Sequence, residues 1–113
     1  MSKSIEEVMQ FLENYTLAWH HWLLVLSLLK LGGCGKKGQI MPVYKKEGFS
    51  PHAIERVFRS DLRDLGSAVD VEGDIDNMNS NTMIYLSEDP RLRRFIKKNL
   101  KSVVRTLKKQ SPK

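Results

Sequence analysis

At 113 residues and 13.1 kDa the chain has room for one hydrophobic core, because two halves of this length would each bury too little apolar surface to fold alone. A hydrophobic share of 41% and a charged share of 28% are those of an ordinary globular domain and exclude wholesale disorder. The formal charge is +6, from 19 basic and 13 acidic residues, and its placement along the chain says more than its sum.

The first thirteen residues, MSKSIEEVMQFLE, carry three glutamates and lack the basic-then-apolar order of a secretory leader. Ser4 opens a capping box, with Glu7 placed to return a hydrogen bond to the cap. Apolar residues then recur in steps of three and four at Ile5, Val8, Met9, Leu12, Tyr15, Trp19, Trp22, Val25, Leu26 and Leu29. This predicts a long N-terminal helix over 5–31, or two helices, 5–13 and 15–31, if Asn14 recaps the chain. Gly32 and Gly33 end it, since glycine takes the left-handed C-terminal conformation cheaply. A second stripe of Phe11, Leu24, Leu28 and Leu31 leaves the latter half apolar nearly all round. Such a helix needs cover on both sides, from its own domain and from a second copy. The run WLLVLSLLKL at 22–31 is half of the ~20 residues a bilayer demands and is broken by Lys30, so no membrane is expected and a cytoplasmic location is.

Cys34 is the single cysteine, which excludes an internal disulfide and a multi-cysteine zinc site. Residues 37–41 read as a short strand or extended link. Pro42 suits the first turn of a short helix over 42–47 that Gly48 ends. Ser50 and Pro51 then open a longer helix, serine as cap and proline in first position. Its buried stripe is Ile54, Val57, Phe58, Leu62 and Leu65, and Gly66 closes it. The opposite face shows His52, Glu55, Arg56, Arg59, Ser60 and Arg63.

From Ser67 the period changes to two, through Ala68, Val69, Asp70, Val71 and Glu72. The cluster DIDNMNSN separates this run from TMIYLS at 82–87, and the pair reads as an antiparallel hairpin with a polar tip. Asp89 caps the last helix and Pro90 starts it; Leu92, Phe95, Ile96, Leu100, Val103 and Leu107 give it an apolar seam to about 109. Residues 110–113 read as a disordered tail. Ten of the nineteen cations lie between Pro90 and Lys113 with no acid among them, leaving nine against all thirteen acids before that point. A mildly acidic body of −4 thus carries a +10 terminal segment, a field suited to a polyanion, although lysines also keep a helix soluble.

In order this is helix, short extended piece, short helix, longer helix, hairpin, helix. The segment VYKKEGFSPHAIERVF, 43–58, resembles the winged helix-turn-helix family: an apolar pair, a glycine turn, apolar Phe49, a serine cap, then Ala53 and Ile54 on the buried side. IYLSEDPRLRRF, 84–95, is similar to the strand-to-helix exit after the wing in small bacterial and archaeal regulators. The resemblance implies an α+β, mostly α, single domain over 1–109, with its core at about 15–89 and a basic helix over 90–109. It also implies a β-hairpin wing and base-edge contacts from the exposed start of the 51–65 helix, here His52, Glu55, Arg56 and Arg59; Arg63, further along, is a further DNA-binding candidate. Each arginine can donate two hydrogen bonds to guanine, worth ~1–3 kcal/mol of discrimination. Ser50, Ser60, Lys45 and Lys46 are candidate phosphate donors.

Two features oppose a simple transfer of the family pattern. Arg56, Arg59 and Arg63 are read as facing Glu55, Asp61 and Asp64, which leaves the helix almost neutral. The hairpin carries Asp70, Glu72, Asp74 and Asp76, which repel phosphates even where Asn77, Asn79 and Asn81 can hydrogen-bond in a minor groove. Basic charge must then come from the last helix, through Arg93, Arg94, Lys97, Lys98 and Lys101. The seam of that helix packs under the first helix or pairs with a second chain. A homodimer through the first and last helices would set two recognition helices one duplex turn apart, ~34 Å.

The expectation is a homodimeric, sequence-specific double-stranded DNA-binding regulator, a repressor because 113 residues leave no activation or ligand domain. The alternative is a winged-helix module for protein contacts whose acidic hairpin docks a basic partner. A membrane-surface role for residues 90–109 is disfavoured, as the seam lacks tryptophan. His20, His21, His52 and Cys34 offer no metal-ligand spacing except the adjacent histidines, whose side chains are expected to diverge on a helix. No catalytic constellation stands out and GGCGKKG lacks the spacing of a phosphate loop, so neither an enzyme, a cofactor nor a small-molecule ligand is expected.

Overall fold

The computed structural model describes residues 3–110, of which Gln110 is described by its backbone alone. Among these residues the fold is α+β and mostly helical, with five helices around a small antiparallel sheet. Helix α1 spans Ile5–Leu12 and begins with the expected capping box, Ser4 Oγ accepting from Glu7 N–H while Glu7 returns the bond to Ser4 N–H at 2.9 Å. The expected long helix is broken: Asn14 Oδ1 accepts the Leu17 N–H at 3.1 Å, holding 13–18 as turns, and α2 spans Trp19–Lys30. The break lies at Asn14 as the recapping alternative has it, but the second helix starts four residues later, with no side-chain cap. Trp22 Nε1 donates to the Leu12 carbonyl at 2.8 Å, satisfying a buried acceptor at the end of α1.

Strand β1 is Cys34–Lys36, upstream of the 37–41 segment expected to be extended. That segment is instead the start of helix α3, Lys37–Lys46, with Pro42 in its interior rather than its first turn. The reason lies outside local sequence. Lys37 and Gly38 donate their N–H groups to the carbonyls of Thr82 and Ser80, each at 2.9 Å, and Gln39 Oε1 accepts the Lys36 N–H at 2.9 Å, so donors at the helix start are satisfied although Lys36 offers no capping oxygen. A Cβ at Gly38 would meet the Ser80 carbonyl oxygen at 3.0 Å, so this close approach selects glycine. Helix α4 is Pro51–Asp64, with Ser50 Oγ accepting from Ala53 N–H and Pro51 in the first turn, as read from the sequence. Gly48, at φ +97°, makes the turn between α3 and α4.

Strands β2, Val69–Val71, and β3, Met83–Leu86, form the expected hairpin, pairing Val69 with Leu86 and Val71 with Ile84. β1 adds to the far edge of β3, pairing Gly35 with Ile84, so the sheet order is β1-β3-β2. Helix α5 is Pro90–Gln110. It runs through residue 110, which the sequence assigned to a disordered tail; 111–113 lie outside the described residues.

One core joins all of this. Trp22, Leu24, Leu28, Ile40, Tyr44, Phe58, Leu62, Ile84, Leu92 and Ile96 are essentially inaccessible, and Ile5, Val8 and Leu12 of α1 belong to the same cluster. The core therefore extends on both sides of the 15–89 segment that the sequence marked out. Helix α2 packs against α3, α4, α5 and the sheet, which buries Trp22, Leu24, Val25 and Leu28 within the chain, while Trp19, Leu26 and Leu29 are half-buried and Leu31 is exposed. Most of the surplus apolar surface that suggested a second copy on this helix is covered within the chain, and Leu31 at its end is left exposed. Helix α5 packs under α1 and α2 through Leu92, Ile96 and Val103, leaving Leu100 and Val104 exposed.

Candidate functional site

Helix α4 presents two chemically distinct faces. Phe58, Leu62 and Leu65 are buried; at about 2 kcal/mol for each large apolar side chain they hold the helix at a fixed roll. His52, Arg56, Ser60 and Arg63 are exposed on the other face and Arg59 is partly so. The face is more basic than the sequence reading allowed, because Asp61 is not on it. Asp61 is 1% exposed, on the opposite side of the helix, three residues after Phe58 and four before Leu65. Asp64 turns to His21 instead of an arginine. Glu55 is the acid left on the outer face, and it takes Lys37 Nζ at 2.7 Å and lies 3.9 Å from Arg59 Nε.

The hairpin reaches this face. Asp76, in the loop between β2 and β3, forms an ion pair with Arg63, so Arg63 is engaged by an acid of the hairpin. Arg56 has no acidic partner among the described residues. Lys45 and Lys46 are exposed at the end of α3, just before the Gly48 turn. Ser50 is committed to capping through its oxygen, which leaves its hydroxyl proton free to donate. Asn77, Asn79 and Asn81 are exposed in the hairpin loop, where Asn79 Oδ1 also accepts the Asn81 N–H at 2.8 Å.

On α5 the sequence candidates divide. Arg94, Lys97, Lys98 and Lys101 are exposed, as are Arg105, Lys108 and Lys109, and none has an ion-pair partner among the described residues. Arg93 differs. Its guanidinium donates to the carbonyls of Ser87 at 2.8 Å and Leu86 at 3.2 Å, clamping the exit from β3 onto the helix. Its side chain folds back over the preceding turn and is engaged within the chain, unlike those exposed cations. Arg91 is likewise held, by Asp89 at 2.9 Å and by Glu6.

The sequence reading missed a buried polar cluster behind α4. His20 Nδ1 lies 2.8 Å from Asp61 Oδ2; His21 Nε2 lies 3.2 Å from Asp61 Oδ1 and 2.9 Å from Asp64 Oδ2. The Tyr44 hydroxyl donates to Asp61 Oδ2 at 2.6 Å. The adjacent histidines therefore converge, with ring centroids 4.4 Å apart, contrary to the expected divergence, because the Asp61 carboxylate offers one oxygen to each. Burial pushes the His21 imidazole below its ordinary range and outweighs the Asp61 charge, which pulls the other way. Burial, reinforced by Asp61, pushes the Tyr44 phenol well above its range. The sequence signal was present: Asp61 falls on the buried spacing of α4, where an unpaired carboxylate is costly and a partner has to exist.

No family model, curated protein or solved structure matches this chain. The chemistry of the surface is thus read from its own residues. A rigid helix with an outward row of arginines can make bidentate bonds to flat acceptor pairs, and a helix with seven exposed cations can lie along a line of anions. Among the described residues no helix is long and apolar enough to cross a membrane.

Proposed function

We propose that the chain is a sequence-specific double-stranded DNA-binding protein of the winged helix-turn-helix type, acting as a homodimeric transcriptional repressor. One observation carries the reading: α4 is pinned by its buried side while Arg56, Arg59, His52 and Ser60 point outward, free of Asp61 and Asp64. A major groove about 12 Å wide admits such a helix, and its guanine acceptors match an arginine fork. In this reading Lys45, Lys46 and the Ser50 hydroxyl meet phosphates at the helix start, and the cations from Arg94 to Lys109 neutralise flanking phosphates. The hairpin is the wing, and its Asp76 braces Arg63 rather than tracking the backbone. A second copy pairs through the exposed Leu100 and Val104 of α5.

Selection from a random duplex pool, followed by binding isotherms at 50 and 200 mM salt, tests this. The expected result is an enriched palindromic site whose affinity falls roughly a thousandfold across that salt range. No enrichment, with duplex affinity indifferent to salt, rejects the reading. It would then favour the second reading, a protein-contact module that uses the exposed Asp70, Glu72 and Asp74 of the hairpin on a basic partner.

A further inference from the structure

We propose that His20, His21 and Asp61 form a binding site for one divalent transition-metal ion of the zinc class. One ligand atom from each of these side chains lies within 4.8 Å of the other two, and the three come from two helices, α2 and α4. Two imidazole nitrogens and a carboxylate oxygen are the donor set that zinc and its first-row neighbours take. Tetrahedral zinc at about 2.0–2.1 Å from each donor needs the donors roughly 3.3 Å apart. Each histidine faces its own Asp61 oxygen, His20 Nδ1 at 2.8 Å from Oδ2 and His21 Nε2 at 3.2 Å from Oδ1, up to about half an ångström inside that spacing.

The surroundings are those of a built site. Asp61 and His21 are buried, and Tyr44 fixes the Asp61 carboxylate from behind by donating to Oδ2. Asp64 Oδ2, 2.9 Å from His21 Nε2, stands beside the three as a further oxygen donor. The Asp64 side chain is 41% exposed and that of His20 25%, so one edge of the cluster is open to an entering ion. His21 Nδ1 is buried without a hydrogen-bond partner among the described residues. The inference is independent of DNA binding, although the ion would grip α4 from the side opposite Arg56.

The test uses the full chain, stripped with a chelator and returned to metal-free buffer, with Zn2+ as the probe and Co2+ as a spectroscopic substitute. Titration calorimetry and native mass spectrometry should show one zinc per chain. At about a hundredfold excess over the dissociation constant the melting temperature should rise by on the order of 10 °C. Co2+ should develop visible bands of a four-coordinate nitrogen–oxygen site. His20→Asn, at a partly open position, should lower zinc affinity about 10- to 100-fold with little change in the metal-free melting temperature, and Cys34→Ser should leave affinity unchanged. Substoichiometric zinc, no thermal shift, or affinity that survives His20→Asn and disappears in Cys34→Ser overturns the proposal.

Discussion

Removing the Asp61 carboxylate tests whether the cluster behind α4 fixes that helix in place. Asp61 is 1% exposed, accepts from Tyr44 at 2.6 Å and His20 at 2.8 Å, and lies 3.2 Å from His21 Nε2. Asp61→Ala leaves the Tyr44 hydroxyl, itself inaccessible, with one marginal alternative, the His20 carbonyl at 3.4 Å. A buried donor left unpaired costs about 1–3 kcal/mol, and the partly exposed His20 recovers part of its loss through water. The expected destabilisation is therefore about 3 kcal/mol. Tyr44→Phe deletes the donor itself and should cost about 1 kcal/mol, because it strands no buried proton. Once Asp61 is gone the Tyr44 hydroxyl only does harm, so the double variant should fall short of additivity by at least about 1 kcal/mol. Urea unfolding with a chelator present measures all four proteins. Additive effects, or an Asp61→Ala cost below about 1 kcal/mol, would show that the cluster is incidental to stability.

Three further outcomes follow from named contacts. Arg93→Ala should destabilise the fold by about 1–2 kcal/mol through loss of the Ser87 and Leu86 carbonyl bonds, while the salt dependence of DNA binding stays as it was; a reduced slope would place Arg93 on phosphates after all. The Asp89 carboxyl is held down to about 2, first by the Arg91 side chain and then by the Arg91 backbone N–H. A depressed carboxyl contributes stability that is complete above its unfolded value of 3.8 and is lost as pH falls towards about 2. Melting temperatures from pH 5 to 2 should therefore fall more for the native chain than for Asp89→Asn, and parallel curves would contradict the assignment. Replacing Lys97, Lys98 and Lys101 with glutamine should flatten the log–log salt slope of duplex binding by about 3 and leave base preference intact.

Much of this architecture is local and was legible. Ser4 with Glu7, Ser50 with Pro51 and the alternating run at 67–72 each encode an element whose hydrogen bonds close within a few residues or across one turn. Strand β1 and the start of α3 were illegible for the complementary reason. Cys34-Gly35-Lys36 has no strand propensity and is extended because β3 lies beside it. Lys37 and Gly38 are helical because the carbonyls of Thr82 and Ser80, more than 40 positions away, receive their N–H groups. At the site, the outward placement of Arg56 and the exposure of Lys97 followed from helical spacing. The burial of Asp61 follows from the same spacing, but its partners, His20, His21 and Tyr44, lie on other helices and leave no local sign in the sequence. That His20 and His21 share Asp61, and that Arg93 folds back on Ser87, are tertiary facts that no spacing along the chain contains.

The central claim is that the arginine face of α4 reads bases. Site selection from a random duplex pool with the native chain and with Arg56→Glu/Arg59→Glu addresses it most directly, provided both proteins melt alike. The account predicts that the variant loses preference at the one or two positions per half-site the native chain reads, ~1–3 kcal/mol each. An unchanged selected sequence in the variant would contradict it.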